Sequence, residues 1–256
     1  MQGVGKKTEE IRPLGWGDDK LSEFLEAVRS QQFATFANDV GGFYSVIREV
    51  DLCFVKITEN LTNPKNLLAA VLLVRSHSAY RTACGTAMGT QLPETFVLLR
   101  SCLEYAAYGL HLNANPLLGE TWLKRHDDAA ALRAMKRAFL GVEVEQTILA
   151  TDKELARIYK ELYERTIDFG GHPNQQATFM AMSPGYEEGH YNQGILSIKK
   201  IYLVGALWMA ASVALGALKV FQLIFEDRFK IMSLDRRIDK LIGRANSVFA
   251  QHTSAD

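Results

Sequence analysis

The sequence predicts an all-α protein, a single multi-helix bundle of about seven or eight helices with an irregular or short-hairpin excursion at residues 172–194. Three observations carry this. Apolar residues recur at a period near 3.6 and clean alternation is rare. The six prolines fall mostly between periodic segments. Residues 201–218 run without a charge between Lys199-Lys200 and Lys219. A helix apolar all round suits the centre of a large bundle.

Each element follows from local signals. Asp18-Asp19 opens a first helix through Leu21, Phe24, Leu25 and Val28 to about Asn38, and Gly41-Gly42 ends it. Phe43 to about Leu61 forms a second, closed by the Asn63-Pro64 turn. The third runs from Leu67 to about Gly89 and ends in small residues, Ala83 to Ala87, which permit close packing. Pro93 starts a fourth that Asn115-Pro116 stops near Asn113, since proline fits the first turn and not the interior. Glu120 to about Leu140 reads as a fifth, with Trp122, Leu132, Met135 and Phe139 at core spacing. Thr151-Asp-Lys-Glu154 has the form of a capping box and launches the helix bearing Tyr159, Tyr163 and Arg165. Gly170-Gly171 and Pro173 end that helix, leaving His172 at a turn. Ser233 caps a last helix with Leu234, Ile238, Leu241, Ala245 and Phe249 inward. The chain reads as one domain, 1–256, with a core bundle at about 65–250 and flexible ends at 1–16 and 251–256.

Composition narrows the function classes. Lys plus Arg and Asp plus Glu both number 29, so no global charge draws the chain to nucleic acid, although a local patch can sit inside a neutral total. Cys53, Cys84 and Cys102 form no CxxC pattern and read as small hydrophobes in a reducing compartment. No hydrophobic run marks a signal peptide in the first residues, and the expected location is cytoplasmic. Gly5-Lys6-Lys7-Thr8 lacks the order and the preceding strand of a phosphate loop. Glu187-Glu-Gly-His190 has the spacing of a carboxylate-bridged metal site without a second copy. With no HExxH, no GxSxG and no dinucleotide fingerprint, neither metal nor cofactor is expected.

The candidate chemistry lies in two places. Arg165-Thr-Ile-Asp-Phe-Gly-Gly-His172 joins a titratable pair to a helix break and a rigid Pro173-Asn174 turn. On the fourth helix, Arg100, Glu104 and His111 fall within about 40° of one another on a 100° wheel, and the remaining circumference is almost wholly apolar. That stripe either lines a cleft or forms an internal pair. Tyr163 or Glu104 could orient an imidazole. His77 and Arg81 make a weaker pair on the third helix, and Lys124, Arg125, Arg133, Lys136 and Arg137 form a solvated face. Arg125 and its neighbours become a phosphate patch only beside the His172 turn.

An arginine followed after six residues by a histidine, at the end of a helix in an all-α bundle, resembles the HEPN superfamily. The Leu-Leu-Arg-Ser-Cys-Leu-Glu helix, the Trp-Leu-Lys-Arg helix and the His-Pro-Asn turn are also similar to a bacterial helical family of unknown function, over about residues 65–220. The superfamily resemblance implies metal-independent RNA cleavage by Arg165 and His172 at a homodimer interface. Arg100, Glu104, His111, Tyr163, Asn174 and Arg125 would support it, and RNA and a second copy would be the partners. Thr166 stands where superfamily members often carry a polar residue, and two glycines precede His172. Two other classes remain open: a non-catalytic binding or regulatory bundle in which these residues are structural, and a protein attached to a membrane through residues 201–218.

Overall fold

The structure, a computed structural model, describes residues 12–38, 42–171, 175, 182–184, 191–193, 196 and 199–253. The chain is an all-α bundle. Its helices are α1 (Lys20–Asn38), α2 (Phe43–Glu59), α3 (Leu67–Met88), α4 (Leu92–Ala114), α5 (Leu118–Leu123), α6 (Ala129–Ala138), α7 (Gly141–Thr151) and α8 (Lys153–Thr166). A π-turn (Ile167–Gly171) follows α8, and then come α9 (Lys200–Ile224), α10 (Glu226–Ile231) and α11 (Leu234–Thr253). Within the excursion, strands β1 (Met182–Pro184) and β2 (Tyr191–Gln193) pair antiparallel as a short hairpin.

The boundaries are set by local capping. Asp19 Oδ1 accepts from the amides of Leu21 and Ser22 at 2.8 and 3.0 Å, and Asn66 Oδ1 accepts from Ala69 at the start of α3. Such side-chain acceptors satisfy amides that a helix start leaves unpaired. The helix expected over 120–140 is in fact two, because Asp128 caps a new start by accepting from Ala131. Thr151 is the last residue of α7, so it does not act as the expected capping threonine. Asp152 does that instead, with Oδ1 2.9 Å from the Leu155 amide.

Helix α9 is the hub and packs against α2, α3, α4, α8 and α11. Its interior residues, among them Ala210, Val213, Ala214, Leu218 and Phe221, are buried. Phe43, Val46, Val50 and Phe54 of α2 are also fully buried, so the core reaches well before residue 65. At the other end α11 continues to Thr253, past the point where fraying was expected. Residues 12–16 are likewise tied down, because Arg12 and Trp16 both bond to Glu26 of α1.

The glycines after α8 have a packing role beyond ending a helix. Gly170 lies on the start of α4, where an added Cβ would collide with Pro93 O and come within 2.9 Å of Pro93 C and Cα. The obstacle is backbone, which cannot rotate away as a side-chain tip would. Phe169 then packs on Phe96 at 5.4 Å, fixing the π-turn to α4.

Candidate functional site

The fourth-helix stripe does gather polar groups, and α8 completes them. Arg100 Nε donates to Glu104 Oε1 at 2.9 Å, and Tyr163 Oη donates to the same oxygen at 3.1 Å. The Arg100 guanidinium lies 5.1 Å from the Tyr163 ring centroid, an arrangement that adds cation–π attraction. Burial disfavours the Arg100 charge, yet the Glu104 carboxylate outweighs it and holds the guanidinium pKa up. Burial and the same carboxylate push the Tyr163 phenol up.

Arg125, just beyond α5, joins this seam at Tyr108. Burial and the Glu104 charge raise the Tyr108 phenol, while Arg125 and Arg100 oppose them. Arg125 Nε is shielded from solvent and finds no partner among the described residues. Four of the expected site residues, Arg100, Glu104, Tyr163 and Arg125, therefore share one region. It is a seam between helices, and its ion pair is partly exposed, with the Arg100 and Glu104 side chains half-buried.

His111 leaves the stripe. The wheel places it beside Glu104, but seven residues of helix separate the two by about 10 Å along the axis. His111 Nδ1 lies 2.6 Å from Thr147 Oγ1 of α7, and Nε2 lies 3.0 Å from the Ala138 carbonyl at the end of α6. A carbonyl only accepts, so Nε2 carries a hydrogen and donates it there. The Phe139 ring meets the imidazole edge-on at 5.3 Å. With both nitrogens occupied and the residue buried, His111 is a tie between α4, α6 and α7.

Arg165 also lies elsewhere. It is two residues past Tyr163, about 200° round α8, and therefore faces away from Glu104. Its Nη2 bonds Glu161 at 2.7 Å, and its guanidinium sits 5.2 Å from the Trp208 ring on α9. Two cavities meet at this pair. One, of about 510 Å³, runs between α8, α9 and α11. The other, of about 420 Å³, is bounded by Phe96, Phe169, Tyr202, Trp208 and Phe249. His172 and Asn174, and the Glu187–His190 pair, lie outside the described residues.

One polar constellation escaped sequence reasoning in part. His77 and Arg81 converge on Asp51 of α2. His77 Nε2 is 2.6 Å from Asp51 Oδ1, and Arg81 Nε and Nη2 donate to Oδ1 and Oδ2 at 2.7 and 3.0 Å. Phe54 stacks on the imidazole with centroids 4.9 Å apart. Burial raises the Asp51 carboxyl, but the bonds from Arg81 and His77 prevail and hold it below the usual carboxylate range. Burial depresses the His77 imidazole although Asp51 pulls it upward. Helix periodicity could not show the aspartate, because it sits on another helix.

The three thiols are unsuited to nucleophilic work. Burial pushes Cys53 up to about 11 and Cys84 and Cys102 up to about 12, and the thiolate is the reactive form. Among the described residues no group of three or more His, Cys, Asp or Glu side chains is placed to hold a metal ion. No family model matches the chain, and comparison with curated proteins and with solved structures likewise finds no match.

Proposed function

We propose that this chain is a non-catalytic binding or regulatory bundle of the cytoplasm, in which Arg100, Glu104, Tyr163 and His111 hold helices together. The observation that carries the reading is the separation of the expected site into three settings. Arg100 and Glu104 pair with each other beneath Tyr163, His111 is consumed by Thr147 and Ala138, and Arg165 lies on the opposite side of α8 against Trp208. A general base and a phosphate-stabilising cation need a common reacting atom within hydrogen-bond reach, and the α4 stripe offers Arg165 no floor. The unpaired thiols, buried at Cys53 and Cys102 and partly buried at Cys84, agree with a reducing compartment.

Metal-independent RNA cleavage is the second reading, favoured by one feature. Arg165 ends α8 seven residues before His172 in the sequence, and Phe96, Phe169, Tyr202 and Trp208 line the cavity beside it, side chains of the type that stack on bases. One experiment separates the two. Purified protein is incubated with single-stranded RNA in a chelator, beside the Arg165→Ala and His172→Ala variants. The binding reading expects intact RNA throughout. Cleavage that both substitutions abolish overturns it and establishes the second.

A further inference from the structure

Aromatic side chains border the smaller of the two cavities that meet at Arg165. Phe96 of α4, Phe169 of the π-turn, Tyr202 and Trp208 of α9 and Phe249 of α11 line a space of about 420 Å³. Four of these rings are fixed as two pairs. Phe96 and Phe169 lie 5.4 Å apart between centroids, and Trp208 and Phe249 stack at 4.6 Å. Trp208 is held further because its Nε1 donates to Asn246, and Phe169 because Gly170 seats the π-turn against Pro93. The walls are thus set before anything enters. A cavity of this size, mainly apolar and aromatic with a single convergent polar group, is the ordinary form of a small-molecule site.

Two features separate this cavity from loose packing. The first is Gly205, which lies on its lining. Glycine inside a helix lowers its stability relative to alanine. At Gly216 packing explains the choice, since an added Cβ would lie 2.8 Å from Leu162, but at Gly205 a Cβ would meet nothing within 4 Å. The absent side chain at 205 admits no other helix and leaves the cavity wide. The second feature is Arg165, the one charged side chain among the described lining residues. Glu161 takes a hydrogen from Nη2, whereas Nε and Nη1 make no hydrogen bond among the described residues. Each can donate a charge-assisted bond to an anion. With Glu161 already beside the guanidinium, a single negative charge suits it better than a dianion. We propose that this cavity binds a small planar aromatic carboxylate, its ring among the aromatic walls and its acid group on Arg165. The inference rests on the binding reading above and supplies its ligand class.

The test uses the full chain and 2-naphthoate as the probe, titrated by isothermal calorimetry at neutral pH. 2-Naphthalenemethanol is its uncharged counterpart, decanoate its flexible acyclic one, and uridine monophosphate samples a nucleotide. Naphthoate should bind at one site per chain, at least about tenfold tighter than each of the other three. Arg165→Gln, at a half-exposed side chain, should keep the fold and bring naphthoate and the alcohol to within about twofold of each other. Gly205→Leu should fill the cavity and abolish naphthoate binding without lowering the melting temperature, because leucine is the better helix former. Equal binding of naphthoate and the alcohol, or tighter binding of decanoate or uridine monophosphate, overturns the proposal. So does naphthoate binding that survives Gly205→Leu in a folded chain. Absence of naphthoate binding with intact RNA refutes this ligand site alone. Naphthoate binding together with RNA cleavage refutes the non-catalytic reading alone.

Discussion

Replacing His111 with alanine should lower stability substantially. The residue is 5% exposed and makes two hydrogen bonds, to Thr147 at 2.6 Å and to the Ala138 carbonyl at 3.0 Å. A typical bond of this kind contributes about 1 kcal/mol net. Loss of the ring also leaves space beside Phe139, adding about 1 kcal/mol at a site that relaxes only partly. The sum is about 3 kcal/mol, and in a chain of this length each kcal/mol moves Tm by about 2–4 °C. Differential scanning calorimetry should therefore show a fall of about 6–12 °C. Thr147→Val, which removes only the Nδ1 partner, should cost about 1 kcal/mol. His126→Ala, at an exposed position, should change stability by less than about 0.5 kcal/mol. A His111→Ala protein that melts within about 2 °C of the parent would refute the structural role and return His111 to the list of site residues.

Gly170→Ala should destabilise by about 3 kcal/mol or more, because the new Cβ meets Pro93 backbone; Gly141→Ala, where nothing lies within 4 Å, is the control in the same urea titration, and equal midpoints exclude the clash. Stability should fall as pH drops below about 6.5, since burial keeps the folded His77 pKa below its unfolded value and the unfolded chain then binds the proton more readily. Urea midpoints at pH 7.5 and 5.5 test this; His77→Phe should reduce the difference, and a pH-independent parent midpoint rules it out. Glu104→Gln should cost no more than about 1 kcal/mol, because the Arg100 and Glu104 side chains are 24% and 37% exposed and water screens the pair; a loss above about 3 kcal/mol would show that the pair behaves as fully buried. Cell fractionation should find the chain in the detergent-free supernatant, and exclusive recovery with membranes would restore residues 201–218 as an anchor.

The first four helices were legible because their limits are written locally. Asp19, Gly42, Asn66 and Pro93 each act within a turn of the boundary they set. Between 120 and 151 the signals compete. Asp127-Asp128 looks like two charges on a continuous helix until the Ala131 amide is seen on Asp128, and α7 begins at Gly141 after Leu140, whose side chain offers no cap. For the site, the wheel found Arg100 and Glu104, since an i,i+4 pair is local. It wrongly added His111 because angle alone ignores rise along the axis. Asp51 is 26 residues from His77 and on another helix, so no periodicity within α3 reports it. The Arg165 motif fixes spacing along the chain but not the side of α8 on which the arginine emerges.

The same distinction decides what the apolar segment means. Its best window has a mean hydropathy of 2.0, enough by composition to cross a bilayer, yet 72% of that window is buried within the protein. Lipid would be expected to meet apolar side chains round the exposed remainder. What emerges instead, toward the cavity between α8, α9 and α11, includes Lys219, paired with Asp239 at 2.6 Å, and Trp208, whose Nε1 donates to Asn246 at 3.1 Å. Lys219 lies toward the C-terminal end of the helix, beyond the uncharged run, so the burial of that run rather than this charge favours a core position. The small residues have a local cause as well. A Cβ on Gly216 would press on Leu162 at 2.8 Å, and one on Gly109 of α4 would meet Phe221 at 3.2 Å, so glycine marks where α8 and α4 approach α9 closely. The segment is apolar because α2, α3, α4, α8 and α11 pack round it, and its polar sector faces the cavity between α8 and α11.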